Sequence, residues 1–249
     1  MTSGQTPALA VPNLRGAVYL DILRLLHRAL NPRRYLEIGT RRGDSLVLAE
    51  CPTISIDPKL EITSDVIGAK TQCHFYQMPS DRFFEDFDAK AILGGPLDMA
   101  FLDGMHLCEF LLRDFANIEK ACKRNAVVVL HDCVPVEAAI AQRTFTEKTI
   151  NPVHYNWWTG DVWRTLLLLI RRRPDLRITV LDAQPTGLAC ITNLDPTSTF
   201  IDDNYADLVA EMLSWRLEEM GVPALLEALR VTSTSELDSA EKLYRRFWL

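Results

Sequence analysis

The chain has 249 residues, of which 48% are hydrophobic, and a formal net charge of -6. A chain of this length and composition can bury a large core, so we expect disorder only near the ends. The acidic balance argues against a nucleic-acid partner, because a phosphate backbone requires a basic protein surface.

Neither the N-terminus nor the cysteines indicate export or membrane insertion. The first residues lack a basic region followed by an apolar core, and no stretch approaches eighteen uncharged apolar residues. The six cysteines include no C-x-x-C pair, which argues against a zinc site and a disulfide framework. We therefore expect a cytoplasmic protein with reduced thiols and no membrane partner.

Predicted strands and helices alternate through most of the chain. Residues 1–12 are expected to form a flexible leader, and apolar residues at helical spacing predict a helix over 14–30. Further helices are predicted at 45–50, 80–87 and 107–123. Strands are predicted at 35–38, 53–57, 73–77, 99–103, 126–131, 177–181 and 188–192. The alternation predicts an α/β fold of the Rossmann-like type, with a mainly parallel sheet and helices on both faces.

The pattern after residue 195 is helical only. Helices are predicted at 203–220, 224–229 and 235–248, with a turn at 221–223. We predict one α/β domain over 13–195 and a helical extension over 196–249. This extension is expected to cover the core, to close over the site or to pack against a second subunit, which makes a homodimer plausible.

The segment from 35 to 45 predicts a strand, a tight glycine turn and a helix start. In a dinucleotide-binding loop, the middle glycine lets the backbone approach a pyrophosphate. Here Arg41 occupies that position, and the carboxylate of Glu37 stands two residues before Gly39. A carboxylate repels phosphate but suits an ammonium group or a ribose hydroxyl. The alternative is a plain turn in which glycine is needed only for its permissive dihedral angles.

Four of these residues, Glu37, Gly39, Gly43 and Ser45, resemble the first motif of the class I S-adenosylmethionine (SAM)-dependent methyltransferases. SAM carries an amino-acid end, a sulfonium and a ribose, but no phosphate. The resemblance covers residues 33–192 and implies SAM as cofactor, bound in part by Glu37, Gly39, Thr40, Gly43 and Ser45. It also implies seven strands in the order 3-2-1-4-5-7-6, with the last one antiparallel.

Further cofactor contacts are expected after the second and third strands. Asp57 ends the second strand, where related folds bind the ribose hydroxyls, although it could instead cap the turn before Pro58. Ser80 and Asp81 match the region where relatives bind the adenine ring. Alternatively, the two residues only form an ordinary helix start. Arg41 or its neighbour Arg42 could meet the methionine carboxylate of SAM or extend into solvent.

Titratable residues follow two later strands. Asp103 and His106 follow the fourth strand, and His131 and Asp132 follow the core of the fifth. Ligands bind at the carboxyl ends of strands in such sheets, so we expect the four side chains to converge beside the cofactor. The set resembles the small O-methyltransferases of the catechol, macrolide-sugar and cephalosporin-biosynthesis type. That resemblance implies a divalent cation, Mg²⁺ or Mn²⁺, held by Asp103, His131 and Asp132.

Two histidines modify this expectation. His131 stands where that branch has an acidic metal ligand, and imidazole favours Mn, Fe or Zn over Mg. Alternatively, the His131 side chain points into the sheet or orients Asp132. The branch has a basic residue at the position of His106, which implies that His106, with Asp103, is catalytic and takes the proton of the acceptor hydroxyl. Helix capping by Asp103 or His106 and turn formation by Asp132 are the structural alternatives.

The segment 154–163 is rich in aromatic residues. Trp157 and Trp158 are expected either to stack on a sugar or planar acceptor or to anchor the loop, whereas Trp163 is expected to begin an amphipathic helix. Cys133 is expected to be a small packing residue, because no group that would stabilise a thiolate is visible near it.

We therefore predict a SAM-dependent methyltransferase that acts on a hydroxyl oxygen of a small molecule or sugar, with a divalent cation as an optional component. One alternative is a metal-free methyltransferase in which Asp103 and Asp132 only shape the pocket. Another is a SAM-binding module without turnover that acts through its helical tail. A nicotinamide dehydrogenase is a third alternative, which Arg41 disfavours.

Overall fold

A computed structural model of the protein describes residues 14–145, 154 and 157–247, so the predicted leader, 1–12, lies outside the described residues. Its strands are β1 (Tyr35–Ile38), β2 (Thr53–Ile56), β3 (Cys73–Tyr76), β4 (Leu97–Leu102), β5 (Cys122–His131), β6 (Arg177–Leu181) and β7 (Leu188–Thr192). They form one sheet in the order β3-β2-β1-β4-β5-β7-β6, and β7 runs antiparallel to both neighbours. The predicted strand order and orientation are therefore confirmed.

Helices cover both faces of the sheet, as predicted. They are α1 (Tyr19–Leu30), α2 (Ser80–Asp86), α3 (Ala89–Leu93), α4 (Cys108–Ala121), α5 (Trp163–Arg172), α6 (Phe200–Ser214), α7 (Leu217–Met220), α8 (Val222–Leu229) and α9 (Ala240–Arg246). Helices α1 and α9 cover one face, and α2 to α8 cover the other. The side chains of successive strand residues point to opposite faces of the sheet, so that Tyr35 packs on the α1 side and Leu36 on the α4 side.

The first crossover lacks the helix predicted at 45–50. Only a short 3-10 helix, Leu46–Leu48, follows the glycine turn. Residues 39–52 must cover the whole path from β1 to β2, and Pro52 disfavours helical conformation at Cys51. Leu46 is fully buried on the α1 side of the sheet. The prediction of a full helix at this position was therefore wrong.

The C-terminal helices pack into the hydrophobic cores on the two faces of the sheet. Leu208 and Leu225 belong to the cluster that contains α4, and Leu243 belongs to the cluster that contains α1. The predicted helix over 203–220 is interrupted at Trp215, whose backbone carbonyl accepts a hydrogen bond from the Arg164 guanidinium. The division into a domain and an extension stays a prediction, but the extension packs as part of the sheet's own cores.

Across the described residues, we find no helix that is both long enough and apolar enough to span a membrane.

Candidate active site

The glycine turn after β1 packs directly against the end of β4. Gly39 has a φ angle of 90°, and a Cβ atom at this position would lie 1.9 Å from the backbone oxygen of Asp103. Gly43 has a φ angle of 88°, and its Cβ atom would lie 2.4 Å from Cγ1 of Val66. Backbone conformation and close packing therefore require glycine at both positions, in addition to any contact with a cofactor.

Glu37 lies beneath this turn in a buried polar network. Its carboxylate accepts hydrogen bonds from the hydroxyls of Tyr35 (2.7 Å) and Ser45 (3.0 Å), and Thr40 accepts one from Ser55 (2.8 Å). Burial raises the pKa of Glu37 to about 7, although these hydroxyls favour the ionised carboxylate. The Glu37 side chain is fully buried, so protein groups enclose the carboxylate that was expected to meet SAM. Direct contact with the cofactor stays a prediction.

Asp57 follows β2 and holds the glycine turn through backbone groups. One carboxylate oxygen accepts a hydrogen bond from the backbone N–H of Arg41 (2.8 Å), and the other accepts one from Lys59 (2.7 Å). The side chains of Arg41 and Arg42 are exposed. Asp57 therefore caps the turn and also lies at the carboxyl end of β2, so the two interpretations of this residue are compatible.

The start of α2 is tied to α4 and α6. Asp81 forms two hydrogen bonds with Arg113 (2.6 and 2.8 Å), and Arg113 also contacts the hydroxyl of Tyr205. Ser80 hydrogen-bonds to Asp114, a buried residue whose pKa burial raises to about 7. Oδ1 of Asp114 has no partner among the described residues. Asp81 and Ser80 therefore both have protein partners at the start of α2, and a contact of Ser80 with adenine stays a prediction.

Four titratable side chains converge where β4 and β5 end. His131 Nδ1 lies 3.1 Å from Asp103 Oδ1 and 3.5 Å from Asp132 Oδ2. His106 Nε2 lies 3.3 Å from Asp132 Oδ2 and 3.6 Å from Asp103 Oδ1. The structure therefore brings together all four residues that the sequence placed at the ends of these strands, and His131 faces this cluster.

The charges in this cluster stabilise one another. Burial alone would lower the pKa of both histidines, but Asp132 and Asp103 raise the pKa of His106 to about 9 and that of His131 well above its usual value. Burial alone would raise the pKa of Asp103, but His131 and His106 hold it well below its usual value. The raised pKa of both histidines therefore favours their charged imidazolium form beside Asp103 and Asp132.

The backbone of Trp158 orients His106. Nδ1–H of His106 donates to the Trp158 carbonyl (3.0 Å), so Nε2 faces the carboxylates. A neutral His106 with this hydrogen bond carries its lone pair on Nε2. Gly160, with a φ angle of 57°, permits the close approach, because a Cβ atom there would lie 1.7 Å from the His106 backbone oxygen.

The aromatic segment divides into three environments. The Trp158 ring lies 5.1 Å from the His106 ring, and its indole N–H donates to the Gln142 backbone oxygen (2.7 Å). The Trp157 ring packs 4.6 Å from that of His154. Trp163 is buried and begins α5, as expected. Trp158 is therefore the tryptophan of this segment that lies beside the expected acceptor position.

Two residues that the sequence did not single out also contact the cluster. The Tyr19 ring lies 4.2 Å from the His131 ring, and the Thr186 hydroxyl donates to Oδ1 of Asp132. Tyr19 comes from the first turn of α1, and Thr186 comes from the connection between β6 and β7. No motif spacing relates these positions to β4 or β5, so the sequence alone carried no signal for them.

Comparison with known proteins identifies the domain that carries this site. Residues 36–133, which include the glycine turn and the four clustered side chains, match the family model of a methyltransferase domain. Over these residues the chain therefore carries a methyltransferase domain. The resemblance inferred from the sequence is thereby confirmed, and SAM is the cofactor of this class. No curated protein matches the chain.

Three solved structures with the same fold have low sequence identity to this chain. Cofactor-bound Rv0187 from MTB is 18% identical, with a TM-score of 0.51, and the match covers 74% of this chain and 83% of that one. The O-methyltransferase TomG from Streptomyces achromogenes, in complex with SAM, is 20% identical over 70% and 78%, with a TM-score of 0.50. The SAH-bound methyltransferase PaMTH1 from Podospora anserina is 14% identical over 71% and 78%, with a TM-score of 0.50. At these identities the likeness establishes the fold of the methyltransferase domain.

Proposed function

We propose that the methyltransferase domain transfers the methyl group of SAM to a hydroxyl oxygen of a small-molecule or sugar acceptor. The observation that supports this most directly is the convergence of Asp103, His106, His131 and Asp132 beside the glycine turn. TomG, one of the relatives with this fold, is an O-methyltransferase involved in tomaymycin synthesis. A homodimer and a cytoplasmic location stay predictions.

The cofactor is proposed to lie along the ends of β1, β2 and β3. Asp57 would bind the ribose hydroxyls, because its carboxylate oxygens have further lone pairs beyond those that accept from Arg41 and Lys59. Ser80 would border the adenine ring. The turn formed by Gly39, Thr40, Gly43 and Ser45 would receive the amino-acid end. Glu37 supports this turn from below through Ser45 and adds negative charge under the ammonium group.

The acceptor is proposed to lie against His106 and Trp158. Methyl transfer is an in-line displacement at carbon, so the protein mainly aligns the acceptor oxygen with the methyl group and removes one proton. Neutral His106 offers its Nε2 lone pair for that proton, because the Trp158 carbonyl fixes the hydrogen on Nδ1. The Trp158 ring would contact a planar or sugar acceptor.

The donor set is compatible with a divalent cation. One ligand atom each from Asp103, His131 and Asp132 can be chosen within 4.8 Å of one another. Two carboxylates and one imidazole suit Mn²⁺ or Zn²⁺ better than Mg²⁺, which prefers oxygen ligands. When bound, such an ion would lower the pKa of the acceptor hydroxyl. Asp103, His131 and Asp132 would then hold the ion, and His106 would remain beside it.

One observation favours the metal-free alternative. In the structure, His106 and His131 already neutralise the charges of Asp103 and Asp132 through contacts of 3.1 to 3.6 Å. The carboxylates are therefore stabilised without an ion. Activity that persists in excess EDTA would support the metal-free enzyme, whereas loss of activity that Mn²⁺ restores would support the metal-dependent one.

The proposal is tested by measuring SAH release from SAM with a panel of hydroxylated small molecules. We expect turnover with at least one acceptor. The H106Q variant should lose most of the turnover while SAM affinity, measured by calorimetry, stays near that of the wild type. H74Q is the matched control, because His74 lies on β3, at the sheet edge away from the cluster. Equal turnover by H106Q and the wild type would contradict the assignment of His106.

A further inference from the structure

The acceptor wall, formed by His106 and Trp158, is held by contacts between separate segments of the chain. The His106 ring donates to the carbonyl of Trp158 (3.0 Å), and the His106 carbonyl accepts from the backbone N–H of Asp161 (3.2 Å). The Trp158 indole donates to the carbonyl of Gln142 (2.7 Å). The positions of both rings therefore depend on how the segment 158–161 and the chain at Gln142 are held in place.

Arg143, the residue after Gln142, joins these segments through its side chain. Its guanidinium forms hydrogen bonds with both carboxylate oxygens of Glu109 (2.6 and 3.0 Å) and with Oδ2 of Asp161 (2.7 Å). Glu109 lies in the first turn of α4. A guanidinium carries five N–H donors in a planar fork, so one arginine can bridge two carboxylates. Arg143 thus links the chain at Gln142 to the start of α4 and to Asp161.

Asp161 is the buried centre of this network, with a side chain that is 1% exposed. Oδ1 accepts a hydrogen bond from the backbone N–H of Cys108, the first residue of α4 (2.8 Å). Oδ2 accepts from Arg143 and from Arg164. A buried carboxylate is costly unless it is paired and hydrogen-bonded. Loss of Arg143 would remove one of these cations from Asp161, and it would remove from Glu109 the guanidinium that lowers its pKa to about 2.

The C-terminal helices support the same segments. Gln142 donates through its side chain to Glu218 of α7 (2.6 Å), and Arg164 donates to the carbonyl of Trp215, which follows α6 (2.7 Å). The Arg164 side chain is 8% exposed, whereas that of Arg143 is 37% exposed. Arg143 is therefore the arginine of this network that can be replaced without opening a buried position.

We propose that Arg143 is a positioning residue that fixes the relative positions of the His106 and Trp158 rings and thereby orients the acceptor. Its bridge between Glu109 and Asp161 keeps the carbonyl of residue 142 within reach of the Trp158 indole. This role rests on the proposed function, because it concerns the wall against which the acceptor would lie. The proposed cofactor residues lie at the ends of β1, β2 and β3, so loss of the bridge should leave SAM binding unchanged.

The test compares R143Q with the wild type as full-length ¹⁵N-labelled proteins. The chain has five tryptophans, and W158F assigns the Trp158 signal among the five indole N–H signals. The hydrogen bond to the Gln142 carbonyl should slow exchange of this N–H with solvent and shift it downfield. In R143Q we expect its exchange to be at least about fivefold faster and its shift to move upfield.

A kinetic measurement links this change to the reaction. For an acceptor that the wild type methylates, R143Q should raise the KM of the acceptor at least about fivefold, while the calorimetric Kd of SAM stays unchanged. If no acceptor is methylated, the proposed function fails, but the indole exchange needs no acceptor and still shows whether Arg143 holds the wall.

The matched control is R172Q, because Arg172 pairs with Glu211 (2.7 Å) between α5 and α6, and its side chain is 53% exposed. R172Q should change neither the Trp158 signal nor the KM of the acceptor. E109Q, which weakens the other end of the bridge, should act in the same direction as R143Q and decides the question if R143Q does not fold. The proposal is overturned if R143Q and R172Q have equal effects, if R143Q speeds exchange equally at all five indoles, or if R143Q weakens SAM binding as much as acceptor binding.

Discussion

Glu37 makes the stability of the protein depend on pH. Its carboxyl is fully buried, and burial raises its pKa from 4.5 to about 7. A group whose pKa is higher in the folded state binds more protons there than in the unfolded state. Its contribution to stability is therefore complete below pH 4.5 and is lost as the pH rises to about 7. At about 1.4 kcal/mol for each pH unit, the loss amounts to about 3 kcal/mol.

Glu37→Gln removes this titration while keeping the shape of the side chain. The hydroxyls of Tyr35 and Ser45 can donate to the amide oxygen or accept from the amide nitrogen, so the buried network can still be satisfied. We expect the variant to gain about 3 kcal/mol in unfolding free energy relative to the wild type between pH 4.5 and pH 7.5. It should bind SAM more weakly, because the negative charge beneath the glycine turn is gone.

The assay is urea unfolding of both proteins at half-unit pH intervals. Asp114, whose pKa is also raised to about 7, titrates in the same range, but it is present in both proteins and its contribution cancels in the difference. Glu50→Gln is the control, because Glu50 is exposed. A difference between wild type and Glu37→Gln that does not change with pH would refute the assignment of a buried carboxyl with a raised pKa.

Three other predictions concern the turn and the cluster. Gly39→Ala should lower the unfolding free energy, measured by urea unfolding, by about 3 kcal/mol or more, because the new Cβ atom would clash with the end of β4. Gly94→Ala is the control: its Cβ atom would have no other atom within 4 Å, so this variant should lose only about 1 kcal/mol. His131→Ala should abolish saturable Mn²⁺ binding in calorimetry, and unchanged binding would exclude His131 as a ligand. The metal-free turnover rate should rise about tenfold per pH unit up to about pH 9, because the raised pKa of His106 keeps Nε2 protonated below that value; a rate that is flat from pH 7 to 9 would exclude His106 as the proton acceptor.

The sequence predicted the sheet well because buried parallel strands have a strong local signature. β1, β6 and β7 have the predicted bounds, and β5 begins four residues earlier than predicted, at Cys122. The helix at 45–50 was predicted from its position after a glycine turn, but the short path to β2 and Pro52 prevented it. The break in the helix at Trp215 depends on a hydrogen bond from Arg164, far away in sequence, and no local pattern reveals such a contact.

The candidate site was predictable where strand ends determine position. Asp103 and Asp132 follow adjacent strands in the sheet, so the topology alone brings them together. By contrast, Tyr19 reaches His131 only because α1 packs across that face of the sheet. The sequence also did not reveal that Glu37 is buried. The alternation of side chains along β1 places Glu37 on the same face of the sheet as Tyr35, and the exposure of Glu37 depends on which residues cover that face.

The missing helix after β1 bears on which cofactor the turn can bind. A dinucleotide loop holds its pyrophosphate at a helix N-terminus, where aligned N–H groups carry partial positive charge. Here the turn leads into a 3-10 helix of three residues, Leu46–Leu48, which is too short to supply that field. Glu37 beneath the same turn adds an acidic group. Both features disfavour a phosphate at this position and favour a cationic amino-acid end, so NAD should bind far more weakly than SAM in a direct calorimetric comparison.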